Sequence, residues 1–346
     1  GFSLPRATLK FSGDATCDVH YYAELEFGHA GGESRQTLLF NTDAVAGLVF
    51  ADGGTSANLL REGWIEYEAA PQAAFRMGLI KTAATRQLMT APEMQQFVDI
   101  SMASAFIGQS MPGYIDRNRD YGFMVHGALG CDGEWQYMAT VTNGDGPAHR
   151  NVLDGTTSDN FAYSARVNWD VKGHLGYEEG ALRSTECAWA LSIGAWVHYY
   201  ADAAQHRPFQ KFADRLTYGV DAAFTWGGLS VTAAYSALSW DFDPADDRDA
   251  SSYLVQAGYL FPGTAWEVAA RWSGWTNDNG GFESGASEIG AAVSYYIDGH
   301  ADKVTLDVAF ISPEDDANFF DDVYTAYQST GASDGMLVRL QWQLAL

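Results

Sequence analysis

Side chains that could act in catalysis are present, but their arrangement does not predict an enzyme. His20, His126 and His198 lie in strand-like segments and would turn toward the polar face of those segments. A serine hydrolase needs a serine, a histidine and an acid brought together, and the chain has no Gly-x-Ser-x-Gly motif. Because no spacing indicates that such groups converge, we expect no enzymatic activity.

Two acidic loops could bind a divalent cation, since carboxylate oxygens are the ligands that Ca²⁺ prefers. Neither loop has the fixed spacing of a calcium-binding loop, so solvated surface charge is the simpler interpretation and Ca²⁺ the alternative. Bound Ca²⁺ could bridge to surface polysaccharide or to another surface layer. The first loop carries Asp241, Asp243, Asp246, Asp247 and Asp249, and the second carries Glu314, Asp315, Asp316, Asp321 and Asp322.

The overall charge and hydropathy exclude two further classes. The 346 residues include 44 Asp and Glu against 20 Lys and Arg, so a formal charge of -24 would repel nucleic-acid phosphates. Hydrophobic residues make up 47% of the chain, yet its mean hydropathy is -0.18. The apolar stretch at residues 188–197 is far shorter than the roughly 18 to 20 residues of a membrane-spanning helix. A membrane crossing would have to use strands.

Alternation with a period of two is the main structural signal. From Leu216 to Trp226 apolar side chains stand at every second position, and small or polar ones stand between them. After Gly227 and Gly228 the alternation resumes, which is typical of a hairpin with a tight turn. Aromatic residues form 14% of the chain, enough for girdles at a membrane interface. The pattern predicts an all-β transmembrane antiparallel β-barrel.

The same analysis predicts fifteen strands, with short periplasmic turns at one end and long extracellular loops at the other. Such barrels have an even strand number, so we expect about 16, with the further strand before Gly1 or within residues 37–52, all in one domain over residues 1–346. The fifteen segments are 6–13, 18–28, 58–69, 73–81, 119–129, 135–143, 159–170, 189–201, 214–226, 229–239, 250–261, 265–274, 286–297, 302–311 and 334–346.

By this alternation the inner wall carries seven basic and ten acidic side chains. The simplest interpretation is that they solvate a water-filled wall and pair across strands, and the excess of acids predicts weak cation preference or little selectivity. The bases are Lys10, Arg76, Arg166, Arg215, Arg271, Lys303 and Arg339, and the acids are Glu24, Glu26, Glu62, Glu66, Glu68, Asp120, Asp221, Glu267, Glu288 and Asp307.

Several segments, in matching order, resemble the phosphate-selective porin O/P family of trimeric outer-membrane channels. One match ends in a Gly-x-x-Lys element at Lys81, and another opens with Arg119 and Asp120. The resemblance implies a homotrimer in the bacterial outer membrane, in contact with lipid and lipopolysaccharide. The matching segments are 5–13, 19–27, 64–68, 75–81, 119–123 and 226–230.

The resemblance also implies that the long loop 82–117 folds into the pore and constricts it, with Arg76 beside the constriction and Lys81 at the loop's root. A loop that merely caps the barrel is the alternative. Phosphate-selective members use ladders of Arg and Lys, and this chain departs from that pattern because its inner wall is acidic. The other charged residues predicted at the constriction are Arg86, Glu93, Asp99, Asp116 and Arg117.

The sequence thus predicts a passive porin for small hydrophilic solutes or ions, with no cofactor beyond the Ca²⁺ discussed above. One alternative is a structural barrel that anchors a surface layer or an envelope partner through its acidic loops. Another is a periplasmic binding protein, whose apolar faces would be buried. Cys17, Cys131 and Cys187 fall at predicted periplasmic turns, where Cys131 could pair with Cys187 or all three thiols could stay unpaired.

Overall fold

The structure is a computed structural model. It describes residues 6–27, 60–109, 118–144, 161–182, 188–203, 213–242, 248–278, 283–313 and 335–345. All fifteen predicted strands are present, and the prediction of an all-β antiparallel architecture is confirmed. The residues 37–52 lie outside the described ranges.

The fifteen strands follow one another along the chain, and each is hydrogen-bonded to its sequence neighbours. Their bounds are β1 Thr8–Thr16, β2 Val19–Glu26, β3 Leu60–Ala70, β4 Ala73–Lys81, β5 Arg119–Leu129, β6 Trp135–Thr142, β7 Ala162–Lys172, β8 Ala190–Ala203, β9 Ala213–Trp226, β10 Leu229–Phe242, β11 Arg248–Leu260, β12 Trp266–Asp278, β13 Glu283–Asp298, β14 Asp302–Pro313 and β15 Gly335–Leu344.

Short turns set the register at one end of the sheet. Gly227 and Gly228 join β9 to β10 with φ of 55° and 93°, a conformation that glycine adopts without strain, so Trp226 pairs with Leu229. Within the described residues β1 pairs only with β2, and β15 only with β14. The sheet is therefore not closed by hydrogen bonds here, and the count of 16 strands stays a prediction.

The distribution of polar and apolar side chains over the two faces of the sheet is the inverse of that in a soluble protein. On β9, Tyr218 and Val220 are exposed on the outer face, whereas Thr217 and Asp221 are buried on the inner face. At the short-turn end the indole rings of Trp135 and Trp169 stack on the outer face with centroids 5.2 Å apart. Apolar side chains outside and polar ones inside are what a lipid-facing wall requires, and a periplasmic β-protein with buried apolar faces is not what the structure has.

Residues 82–109, which follow β4, lie inside the curled sheet and are called here the inner loop. This segment contains helix α1 (Arg86–Met89), a 3₁₀ turn (Pro92–Met94) and helix α2 (Met102–Gln109). Phe106 of α2 stacks on Trp275 of β12, with ring centroids 4.7 Å apart. The main apolar core of the described residues thus joins the inner loop to the inner wall. No helix in the described ranges is long and apolar enough to cross a membrane.

Candidate functional site

The inner loop is fixed to the wall by carboxylates that accept its backbone N–H groups. Asp221 Oδ2 accepts from the backbone N of Arg86 at 3.0 Å, and Glu288 Oε2 accepts from the backbone N of Met102 at 2.9 Å. Asp307 Oδ2 likewise accepts from a backbone N of the loop at 3.1 Å. Irregular backbone in a dry interior needs such acceptors. These predicted wall acids therefore position the loop.

Arg166 of β7 is the centre of this arrangement. Its guanidinium makes two bonds of 2.7 Å to the two carboxylate oxygens of Asp221 on β9, and it also donates to the carbonyl oxygen of Ala84 at 2.7 Å. The side chains of Arg166 and Asp221 are both 0% exposed. A bidentate arginine–carboxylate pair of this kind fixes the orientation of both side chains and neutralises their charges. The root of the inner loop is therefore held between β7 and β9.

Two further pairs between predicted wall residues lie beneath the same loop. Arg271 donates to Glu288 at 3.1 Å and to the carbonyl oxygen of Asp99 at 2.9 Å. Arg339 of β15 pairs with Asp307 at 2.7 Å. In each case the carboxylate that receives a loop N–H is also neutralised by an arginine. These charges are bound to each other, which follows from the high desolvation cost of an unpaired buried charge.

The wall of β2–β5 holds a second, more open group of charges. Glu66 accepts from Arg76 Nε at 2.7 Å and lies 2.8 Å from His126 Nε2. The Arg76 guanidinium stands over the Trp64 ring, 3.7 Å from its centroid, and the Trp64 ring stacks with Tyr22. Water reaches this group, because the side chains of Arg76 and Glu66 are 21% and 13% exposed.

Near the root of the inner loop, two arginines absent from the predicted set neutralise predicted acids. Arg119 pairs with Glu62 at 2.8 Å, and Arg61 lies 3.2 Å from Glu24 and 3.3 Å from Glu26. The signal that could have revealed them is the register, because Glu24 stands opposite Glu62 and like charges on facing strands require a base between them.

The remaining predicted wall residues are on the inner face or near it. Lys303 donates to the carbonyl oxygen of Gln95 in the inner loop, and Glu267 accepts from Gln96 Nε2 at 2.8 Å. The guanidinium of Arg215 stands 6.0 Å from the Tyr200 ring centroid. Two more predicted wall residues are Asp120, which is buried, and Glu68, which is more exposed.

The predicted constriction residues have different environments. Glu93 binds Lys10 of β1 through its carboxylate and Gln343 of β15 through its backbone oxygen, at 2.8 Å. Burial alone would raise the pKa of Glu93, but the hydrogen bond and positive charge of Lys10 outweigh burial and lower that pKa. Asp99 lies 3.4 Å from Arg6.

Two basic constriction residues act on the loop itself. Lys81 donates to the carbonyl oxygen of Met89 at 3.3 Å. Arg86 is buried and donates to the carbonyl oxygen of Gly176. Asp116 and Arg117 lie outside the described residues. The structure therefore places Arg86 in the packing beneath the loop, away from water, while Glu93 and Asp99 are only partly covered.

A second segment inside the sheet was not predicted. Residues 173–182, called here the inner turn, follow β7 at the short-turn end and fold inward against the inner loop. Glu179 accepts from Gln87 Nε2 at 2.8 Å, from the backbone N of Gln96 at 2.9 Å and from Gln256 Nε2 at 2.9 Å. The hydroxyl of Tyr177 accepts from Arg166 Nε at 3.0 Å. The length of the β7–β8 connection, far beyond a hairpin turn, was the available signal.

The structure does not assemble a catalytic or metal group from the described residues. His20 contacts Asp14, His126 contacts Glu66, and His198 is buried on β8, so the three histidines are separate. No three His, Cys, Asp or Glu side chains in the described ranges are grouped to hold a metal ion. Asp241 and Asp249 are exposed, whereas Asp243, Asp246 and Asp247 are outside the described residues, and Ca²⁺ binding stays a prediction.

Two of the three cysteines lie in the described short turns. Cys17 and Cys131 are free, exposed thiols in short turns of the sheet. Cys187 is outside the described residues. The pairing of Cys131 with Cys187 therefore stays a prediction.

Comparisons with known proteins agree with this architecture. The family described as phosphate-selective porin O and P matches residues 1–344. An anion-selective porin from Comamonas acidovorans has a similar structure, with a TM-score of 0.57, 15% identity, and 90% of this chain and 79% of that chain covered. The trimer form of in-vitro folded OmpT, an outer membrane protein of Vibrio cholerae, is also similar, with a TM-score of 0.55, 11% identity, and 97% of this chain and 86% of that chain covered. No protein with a curated description matches the sequence significantly.

Proposed function

Because the chain belongs to the phosphate-selective porin O and P family, we propose that it is a passive diffusion channel for small hydrophilic solutes and ions in the bacterial outer membrane. The observation that carries the proposal is a polar inner wall around a folded inner loop, inside a sheet whose outer face is apolar. No reaction chemistry is required of such a wall. It needs only to hold water and to select by size and charge.

The inner loop is the constriction in this proposal. Its backbone bonds to wall residues on β7, β9, β13 and β14, so it narrows the lumen at a fixed depth. The segment corresponds to residues 82–109 of the constriction predicted at 82–117. A loop held by buried carboxylates keeps its position as solutes pass, which is what a constant pore diameter requires.

Phosphate selectivity is not part of the proposal. An anion ladder needs basic side chains that are not already neutralised, and six described arginines of the wall each pair with a carboxylate. We propose weak cation preference or little selectivity, unlike the anion-selective porin from Comamonas acidovorans. The six are Arg61, Arg76, Arg119, Arg166, Arg271 and Arg339.

Reconstitution in a planar bilayer tests the proposal. We expect stepwise conductance increments and, in a KCl gradient, a reversal potential that indicates equal or cation-leaning permeability. Absence of steps would contradict the channel function. A strong anion preference, with a chloride current that falls when phosphate is added, would leave the channel function intact and overturn the proposed selectivity.

We further propose that the intact barrel has 16 strands. We also propose that it forms a homotrimer, for which the trimer form of OmpT is a precedent. The support for a further strand is the even strand number of such barrels, and the bonds of Glu93 to Lys10 of β1 and Gln343 of β15 show that both edges lie beside the same part of the inner loop. Lipid and lipopolysaccharide would cover the remaining apolar outer face. Crosslinking in native membranes should give a trimer, and a monomer throughout would contradict it.

One observation favours an alternative function. The inner loop and the inner turn meet at Glu179 and fill part of the lumen. A barrel with a structural function would have such a narrowed lumen. In that alternative the acidic loops, with or without Ca²⁺, anchor a surface layer or an envelope partner. A purified protein that binds cell-wall or surface polysaccharide in a Ca²⁺-dependent manner, yet shows no conductance, would favour it over the channel.

A further inference from the structure

In the half of the sheet that carries the short turns, polar side chains on the inner wall are dry on one side of the sheet and open to water on the other. Near the short turns, Glu267 of β12 and Lys303 of β14 are 1% and 2% exposed. At the same end of the sheet, the side chain of His126 on β5 is 26% exposed. Because β5 is paired with β4 and β6, water reaches His126 from inside the sheet and not through the gap between β1 and β15.

Two segments that enter from opposite ends fill the dry side. The inner loop comes from the long-loop end and stacks Phe106 on Trp275. The inner turn comes from the short-turn end, where its Glu179 receives bonds from Gln87 and Gln96 of the inner loop. Together the inner loop and the inner turn cover the inner faces of β7–β14, both near the long loops and near the short turns. The burial of the wall charges there follows from this double filling.

The open side is the short-turn half of the β1–β6 wall, because toward the long loops the same wall is buried, with Glu62 and Arg119 only 9% and 4% exposed. Glu66 bonds there to Arg76 and to His126, and no contact described for these three residues involves the inner loop or the inner turn. Tyr22 and Trp64 continue this surface across β2 and β3, with ring centroids 5.3 Å apart. A passage for water therefore has one wall made by these strands and the other made by the inner loop.

We propose that, in the half of the protein nearest the short turns, solutes move along the β1–β6 wall through a crescent-shaped passage, and that Glu66 with its neighbours selects small cations and cation-bearing solutes. This inference rests on the proposed channel function and gives it a route and a solute class. The route excludes the β7–β14 wall, although that wall also carries charged side chains.

The charge of the passage determines the solute class. Its short-turn mouth carries the carboxylates of Asp14, Glu66 and Glu68 against the guanidinium of Arg76, so carboxylates outnumber guanidinium groups there. A narrow, low-dielectric passage with fixed negative charge raises the local concentration of cations and excludes anions. Paired charges on the dry side are out of reach of solutes and contribute little.

Substituted-cysteine labelling tests the route. In a background with Cys17, Cys131 and Cys187 each replaced by Ala, single cysteines are placed in the passage (His126→Cys) or on the dry wall (Ser230→Cys and Ser294→Cys). The reconstituted protein is treated with a trimethylammonium methanethiosulfonate, and labelled protein is quantified by mass spectrometry. Ser230 and Ser294 are 4% and 2% exposed, and both face the lumen. Serine-to-cysteine changes preserve size, so folding is retained.

We expect the passage cysteine to be labelled at least ten times faster than either dry-wall cysteine, with a fall in conductance only in the first case. Equal labelling rates with normal conductance would overturn the route and leave the channel function standing. Absence of conductance in the unmodified protein would overturn both. Because labelling is read by mass, the two failures are distinguishable.

Selectivity is tested by Glu66→Gln, with Glu134→Gln in an exposed short turn as a control of equal charge change. Removing one charge at the passage wall should lower the cation-to-anion permeability ratio about two-fold at 0.1 M salt, where screening acts over about 10 Å. The control should leave the ratio unchanged. Equal ratios in both variants would show that Glu66 does not face the permeating solute.

Discussion

The Arg166–Asp221 pair should contribute far more to stability than the Arg76–Glu66 pair, although both are arginine–carboxylate pairs on one sheet. Asp221→Asn keeps the shape of the side chain and removes its charge. The Arg166 guanidinium would then be a buried charge without compensation, since both side chains are 0% exposed. Removing one partner of a buried pair costs about 3 to 5 kcal/mol, or at least two orders of magnitude in the unfolding equilibrium constant.

Glu66→Gln is the matched control, because it makes the same chemical change on a pair that water reaches. With exposed fractions of 21% and 13%, solvent screens the charge that Arg76 retains. Pairs of this kind contribute about 0.2 to 1 kcal/mol. The expected difference between the two variants is therefore about 2 to 5 kcal/mol, and its main cause is the difference in burial.

Urea-induced unfolding in lipid vesicles, followed by tryptophan fluorescence, measures both free energies of unfolding. Single-channel recordings on the same samples show whether Asp221→Asn also releases the inner loop, because Asp221 accepts the backbone N–H of Arg86. We expect larger open-channel current noise in that variant. Equal free energies for the two variants would refute the argument that the dry half of the lumen is inaccessible to water.

Three further predictions use other contacts. Acidification below about pH 4 should increase current noise. Because the pKa of Glu93 is lowered, its bond to Lys10 stabilises the inner loop at pH values above the ordinary glutamate pKa, and this stabilisation is lost as pH falls through the lowered pKa. The Glu93→Gln variant should show the same noise already at pH 7. Phe106→Ala should speed hydrogen exchange of the helix α2 amides about a hundred-fold or more, since a buried phenylalanine contributes about 3 to 5 kcal/mol. Brominated lipid should quench outward-facing Trp266 together with the other exposed tryptophans, so Trp266→Phe should reduce the quenched part of the tryptophan emission, whereas Trp275→Phe should leave that part unchanged.

The strands were predictable because their faces differ so sharply. Lipid on one side and water or packed polar groups on the other impose a period of two, so β4 and β5 begin and end where the sequence predicts. The assignment of Asp221, Glu267 and Glu288 to the inner wall followed from the same alternation. Local patterning suffices for these features, since each strand carries its own signal.

The filling of the lumen was not predictable in the same way. The bond between Glu179 and Gln256 joins residues 77 positions apart, and nothing local marks either residue as a partner. Arg86 illustrates the limit, because a charged residue in a pore loop is expected to face water, whereas it is buried against the inner turn. Side chains that meet inside a curled sheet are determined by closure, which a single strand's pattern does not encode.

The distance along the chain between the two partners of Glu93 has a consequence for assembly. This residue bonds to Lys10 near the start of the sheet and to Gln343 near its end, 83 and 250 positions away. The constriction therefore reaches its final position only after the last strand is in place, because loop closure over such lengths must precede the contact. We expect newly inserted protein to pass through a stage of wide, leaky lumen, and time-resolved dye release from vesicles during insertion should show a burst that declines as the inner loop docks.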